Sequence, residues 1–222
     1  MKLSRAIFFV LLLVPGGLLC AQDENNVPAN FQKPRFSIHA NGAVPHTISN
    51  KAFKRSFTGI YDISASFNVR MFSGFTAGFL AKFNEFKTPD NKIPGLNTYG
   101  QMFGGGFRLA YYHYLRETTV LYGGVTAGEV YLHYFGLSCL NPTTPEQTEY
   151  RSTFLEPELG ISFYVEGNFA IGIHTSFDMY DYVFDPYAIC LNQHKAYLDS
   201  DLVGGLQHLN LGFGLTYSFL RK

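Results

Sequence analysis

Leu209-Asn-Leu-Gly-Phe-Gly-Leu-Thr-Tyr-Ser-Phe219 is the stretch on which the fold turns. Leu209, Leu211, Phe213, Leu215, Tyr217 and Phe219 alternate with Asn210, Gly212, Gly214, Thr216 and Ser218. At the strand period of two, every bulky apolar side chain falls on one face and every small or polar one on the other. A water-soluble barrel needs bulk inside and charge outside, whereas a membrane barrel needs bulk toward lipid and small or polar groups toward its lumen. This segment has the second pattern.

Working outward from it, seven earlier segments alternate in the same way. Phe36, Ile38 and Ala40 oppose Ser37, His39 and Asn41. From Ile60 to Phe72, Tyr61, Ile63, Ala65, Phe67, Val69 and Met71 oppose Asp62, Ser64, Ser66, Asn68 and Arg70, and the tight join at Ser73-Gly74 predicts a hairpin with Phe75 to Asn84. A fourth strand carries Phe103, Phe107, Leu109 and Tyr111 against Gly104, Gly106, Arg108, Ala110 and Tyr112. In the fifth, Val120, Tyr122, Thr126, Val130, Leu132 and Tyr134 oppose Gly123, Val125, Ala127, Glu129 and Tyr131, and bulk-outward facing puts Glu129 in the lumen. The sixth sets Leu155, Leu159, Ile161 and Phe163 against Glu156, Glu158, Gly160 and Ser162, with a bulge expected at Pro157. Glu166-Gly-Asn168 leads to the seventh, with Phe169, Ile171, Ile173 and Phe177 outward and His174, Ser176 and Asp178 inward. Long and short connections alternate throughout, as they do in an even-stranded barrel with tight turns at one end and long loops at the other. The expected fold is an all-β, eight-stranded antiparallel up-and-down transmembrane barrel.

The start of the chain reads as a processing segment. Lys2 and Arg5 precede the apolar run Ala6 to Val14, Pro15-Gly16-Gly17 breaks it, and cleavage is expected after Ala21. The run is too short for a membrane-spanning helix. Lipidation at Cys20 would need a small residue before it and finds Leu19. The organisation is then a signal peptide over 1–21, a polar leader over 22–33 and one barrel domain over 34–222. The chain has 17 basic and 17 acidic residues; without Lys2 and Arg5 the balance is 15 against 17, a net charge of −2, which gives no basic face for nucleic acid. Only 15% of residues are charged while 17% are aromatic, too little charge to coat a soluble domain of this size. In an exported protein Cys139 and Cys190 are free to oxidise, and a bridge across their 190 − 139 = 51 residues is worth about 4 kcal/mol.

On these residues the chain resembles the small eight-stranded outer-membrane barrels of the OmpA/OmpX type. The resemblance covers about Pro34 to Phe219 and rests on strand pattern, the Ala21-Gln22 signal junction and the aromatic last strand; Leu220-Arg221-Lys222 follow where members often end on the aromatic itself. It implies a bacterial outer-membrane location with both termini periplasmic. It also implies contact with outer-membrane lipid and lipopolysaccharide, and handling by the barrel-assembly machinery.

The interior of such a barrel is just wide enough for its own side chains. The pattern assigns Asp62, Arg70, Lys82, Arg108, Glu129, Glu156, Glu158 and Asp178 to the lumen. Buried charges are costly unless paired, so a salt-bridged plug centred on Arg108 is expected. Aromatics near the strand ends, among them Tyr114, Tyr122 and Tyr134, suggest two interfacial girdles. One catalytic echo is His174-Thr175-Ser176, which is similar to the His-x-Ser of the lipid A 3-O-deacylases, with Asp178, Asp181 or Asp185 as the acid; the bland reading is a buried, hydrogen-bonded histidine. Gly104-Gly105-Gly106 lacks the Lys-Ser/Thr of a phosphate loop, and Asp199, Asp201 and His194 complete no recognised metal spacing. No cofactor is expected. The functional expectation is a non-enzymatic outer-membrane barrel with a plugged polar lumen, structural or binding a surface ligand through its long loops. The alternatives are a lipid A deacylase-like hydrolase, a narrow small-solute transporter, and a soluble lipocalin-like carrier with reversed facing.

Overall fold

The computed structural model describes residues 33–136 and 149–219. The expected signal, the leader up to residue 32, Cys20, Cys139 and the three residues after Phe219 lie outside them. Eight strands, β1 (Phe36–Thr47), β2 (Thr58–Phe72), β3 (Phe75–Lys87), β4 (Tyr99–Arg116), β5 (Thr119–Phe135), β6 (Glu149–Glu166), β7 (Phe169–Tyr180) and β8 (Gln207–Phe219), follow one another in sequence order around a closed barrel. Every neighbouring pair is antiparallel, including β8 against β1, whose register runs from Phe36 opposite Phe219 to Thr47 opposite His208. With β8 closed against β1 no strand is left as a free edge of the sheet, as hydrocarbon surroundings demand; stretches such as β1 past Ala43 and β6 before Phe154, at the loop end, run beyond one of their neighbours.

The outside of this barrel is apolar. Phe79, Phe103, Leu159, Leu211 and Phe213 stand outward, Phe213 with 75% of its surface exposed, while Asn210, Thr216 and Ser218 of the same β8 strand are buried. The closing strand therefore has the facing its alternation predicts. The turns β2–β3, β4–β5 and β6–β7 gather at one end and the longer connections at the other. Ser73 and Gly167 take positive φ (46° each) to make two of the tight turns.

Four expectations need correction. β1 does not stop near Asn41 but continues through Gly42-Ala-Val-Pro45 to Thr47; its pairing with β2 ends at Ala43, and Pro45 sits beyond that point, where β1 pairs only with β8. A short helix, α1 (Lys51–Ser56), then crosses the loop end where only loop was expected. No bulge forms at Pro157, since Leu155 opposite Met179 and Glu158 opposite Ser176 keep one register. The facing of β5 is the reverse of the expected one: Val120, Tyr122, Thr126, Val130, Leu132 and Tyr134 are buried inside, and Glu129 is on the outer wall, ion-paired with Arg151 of β6. The physical reason is volume. The β8 wall presents Asn210, Gly212, Gly214, Thr216 and Ser218 to the lumen, and the opposite wall must supply the bulk that fills the space. Tyr114, Tyr122 and Tyr134 accordingly leave the expected girdles and point inward, whereas Phe72, Phe75, Phe163, Phe169, Tyr217 and Phe219 do face out.

Candidate functional site

The lumen is built in four layers. At the turn end, a recess of about 20 Å³ lies among Arg35, Ser37, His39, Asn68, Tyr112 and Thr216, room for about one water. Arg70 borders this recess, half-buried, and belongs to neither charged cluster above it.

The first cluster is centred on Arg108 of β4, which is 1% exposed. Its Nε donates to Glu158 Oε1, and its Nη1 donates to Asn68 Oδ1 at 2.6 Å and to the Tyr112 hydroxyl at 3.0 Å. The Tyr112 hydroxyl lies 3.0 Å from His39 Nε2, and His39 Nδ1 lies 3.0 Å from the Thr216 hydroxyl of β8. Tyr112 and Tyr122 stack at 5.4 Å beside the guanidinium. Gly160 makes room for this stack: a Cβ there would stand 2.3 Å from the Tyr122 ring.

The second cluster, nearer the loop end, is centred on Lys82 of β3 and is not legible from the sequence as a separate centre. Its ammonium is 2.8 Å from Glu156 Oε2, 2.8 Å from Asp178 Oδ2 and 3.7 Å from Asp62 Oδ2. Asn84 donates to Asp62 at 2.7 Å, while Asn210 and the Tyr180 hydroxyl donate to Asp178 at 3.0 and 2.9 Å. One ammonium thus collects three carboxylates from β2, β6 and β7 in a space 2% exposed to solvent. Charge-assisted hydrogen bonds of this kind offset the several kcal/mol of desolvation that each ion costs.

Above Lys82 the barrel fills with an apolar core. Phe53 of α1 is its hub, 4.8 Å from Phe57, 5.1 Å from Phe86 and 5.2 Å from Phe184, with Met102, Val130, Leu132, Tyr134, Ile189 and Leu191 around it. The helix is held down from both ends. Asn50 at its N-terminus takes a left-handed conformation and accepts from Phe53 N at 2.9 Å. At its C-terminus, Lys92 donates to the carbonyls of Lys54 and Phe57, and Lys195 donates to those of Arg55 and Lys92.

Seven of the eight lumen charges expected from the pattern therefore line the interior, and six of them form the two clusters; Glu129 is outside. The hydrolase residues are inside but not assembled with one another. His174 Nδ1 faces the Tyr122 hydroxyl at 3.3 Å, Ser176 accepts from Asn210 at 3.1 Å, and Asp178 is bound to Lys82. In the loop connecting β7 to β8, Asp185 accepts from Tyr187 N, an Asx-type turn. Among the described residues no group of His, Cys, Asp and Glu is arranged to hold a metal ion. Cys190 is disulfide-bonded, and Cys139, its expected partner, lies outside the described residues.

No family model matches the chain, and no curated protein matches it in sequence. Solved structures do match in fold. Neisserial surface protein A superposes with a TM-score of 0.53 at 14% identity, over 83% of this chain and 97% of its own. The attachment invasion locus protein Ail of Yersinia pestis, crystallised with the heparin analogue sucrose octasulfate, matches at 16% identity over 84% of this chain and 100% of its own, with a TM-score of 0.39. The outer membrane protein OprG of Pseudomonas aeruginosa matches at 12% identity over 84% and 97%, with a TM-score of 0.40. With its closed eight-strand topology, apolar outer wall and polar lower lumen, the chain has the fold of the small eight-stranded outer-membrane β-barrels.

Proposed function

We propose that this chain is a non-enzymatic outer-membrane barrel whose lumen is blocked and whose long-loop end is its working surface. The observation that carries the reading is the filled interior: Lys82 and Arg108 are both almost fully buried in ion-paired clusters, and the Phe53 core lies above them. A water path would have to break each layer in turn. In this reading residues 1–21 direct export, both termini are periplasmic, and the barrel-assembly machinery inserts the chain. Outer-membrane lipid and lipopolysaccharide then surround the apolar wall. The loops, braced by α1 and the Cys190 disulfide, form a rigid platform of the kind on which binding residues sit. The hydrolase alternative has less support, because the bonds of His174 run to Tyr122 while Ser176 and Asp178 share the Asn210 amide and Asp178 is held by Lys82, so the three are not linked as a nucleophile, base and acid.

Two measurements test this. The purified chain in planar bilayers is expected to give no large, stable conductance; a steady ion-conducting channel would overturn the blocked lumen. Protease on intact cells is expected to cut only within 48–57, 88–98, 136–148 and 181–206, and cuts at the tight turns would overturn the topology.

A further inference from the structure

The roof of the apolar core carries four cations drawn from three separate connections. Lys54 and Arg55 lie on the exposed side of α1, whose Ala52, Phe53 and Ser56 face the core. Lys92 comes from the β3–β4 connection and Lys195 from the β7–β8 connection. The four are tied together through the backbone: Lys92 Nζ donates to Lys54 O at 2.8 Å, and Lys195 Nζ donates to Arg55 O at 3.0 Å and Lys92 O at 3.1 Å. One carboxylate, Asp201, pairs with Arg55; Asp199 of the same turn is exposed.

Backbone carbonyls take two of the three N–H groups on each lysine, Lys54 O and Phe57 O for Lys92 and Arg55 O and Lys92 O for Lys195, and leave the third. Lys54 and Arg55, in the last turn of α1, also complement the negative end of the helix. Burial and the neighbouring Lys195 and Lys54 hold the Lys92 ammonium below its ordinary range, and burial and Arg55 do the same to Lys195. Lys92 and Lys195, whose side chains are already ordered by backbone bonds, stand beside the exposed Lys54 and the Asp201-paired Arg55 and make a partly preorganised anion site.

We propose that Lys54, Arg55, Lys92 and Lys195 form a binding site for a polyanionic glycan, whose phosphate or sulfate groups accept hydrogen bonds from this roof. The site rests on the reading above only in needing the long loops to face outward. A soluble glycan is favoured over a lipid headgroup because the cations lie on the exposed side of a helix whose other side covers the lumen core, not on the lipid-facing wall of the strands.

The test uses the full chain in detergent micelles with fluorescent dextran sulfate, neutral dextran as control, and vesicles containing lipopolysaccharide as a separate arm. Dextran sulfate is expected to bind at least tenfold more tightly than dextran at low salt, with affinity falling steeply as salt screens the contacts. Lys54→Glu, on an exposed side chain, is expected to weaken binding at least tenfold, while Arg116→Glu at the turn end leaves it unchanged. The heat-modifiable gel shift shows in each case that the barrel has folded. Equal loss in both variants, undiminished binding by Lys54→Glu, or binding to lipopolysaccharide vesicles alone would each overturn the proposal. Protease cuts in the long loops of intact cells, together with absent binding, would sink the glycan site and leave the outward-facing loops standing.

Discussion

Replacing Lys82 by Met removes the one ammonium that holds Glu156 and Asp178 at 2.8 Å and Asp62 at 3.7 Å, while keeping much of its volume. Three carboxylates, all nearly excluded from solvent, then face one another without a cation. Breaking a buried pair by removing one partner costs about 3–5 kcal/mol, chiefly because the remaining charge stays uncompensated. At about 1.4 kcal/mol per factor of ten, this lowers the folding equilibrium constant by roughly two to four powers of ten. The assay is urea titration of the chain in phospholipid vesicles, run in both directions and read by the heat-modifiable gel shift. The triple variant Lys82→Met, Glu156→Gln, Asp178→Asn is expected to recover most of the loss, because neutral groups of similar shape cost far less to bury. Arg70→Met, at the half-buried turn-end recess, serves as the control. A Lys82→Met loss below about 1 kcal/mol, the range of solvent-exposed pairs, would refute the reasoning by showing that water reaches the cluster.

Two further outcomes probe the other layers. Arg151→Gln breaks the ion pair with Glu129 on the outer wall and is expected to cost less than about 1 kcal/mol in the same titration; a loss like that of Lys82→Met would return Glu129 to the lumen. Phe53→Ala removes the hub of the loop-end core and is expected to cost about 3–5 kcal/mol through the cavity it leaves, and a cost near zero would mean that α1 is only loosely seated.

The closing strand, the hairpin turns and the inward set Asp62, Lys82, Arg108, Glu156, Glu158 and Asp178 were all legible because each is a local matter of period two. The phase of β5 was not. The alternation of Val120, Tyr122, Val130, Leu132 and Tyr134 is broken by Gly124, Thr126 and Gly128 and has apolar residues in both phases, and only the small β8 wall across the lumen decides that this set points inward. β1 past Asn41 was hidden by Gly42 and Pro45, residues that normally mark a break; α1 lay within the stretch read as loop, too short to show a helical period. Lys82 as a second charge centre depended on register across four strands, which fixes Glu156 and Asp178 beside it and leaves Arg108 with Glu158. The loop-end cations are also a tertiary product, since Lys92 and Lys195 are 103 residues apart in sequence.

The β1–β8 seam has a temporal meaning. Twelve pairings, from Phe36–Phe219 to Thr47–His208, join the first strand to the last, so β1 waits for nearly the whole chain before it acquires its second neighbour. Any chain cut short before Gln207 would expose two unpaired edges at once, and bare peptide groups cannot be left in hydrocarbon. Leu209 to Phe219 is therefore a latch: a copy missing it keeps β1 and β7 each without a partner on one side and has no closed barrel to fall back on.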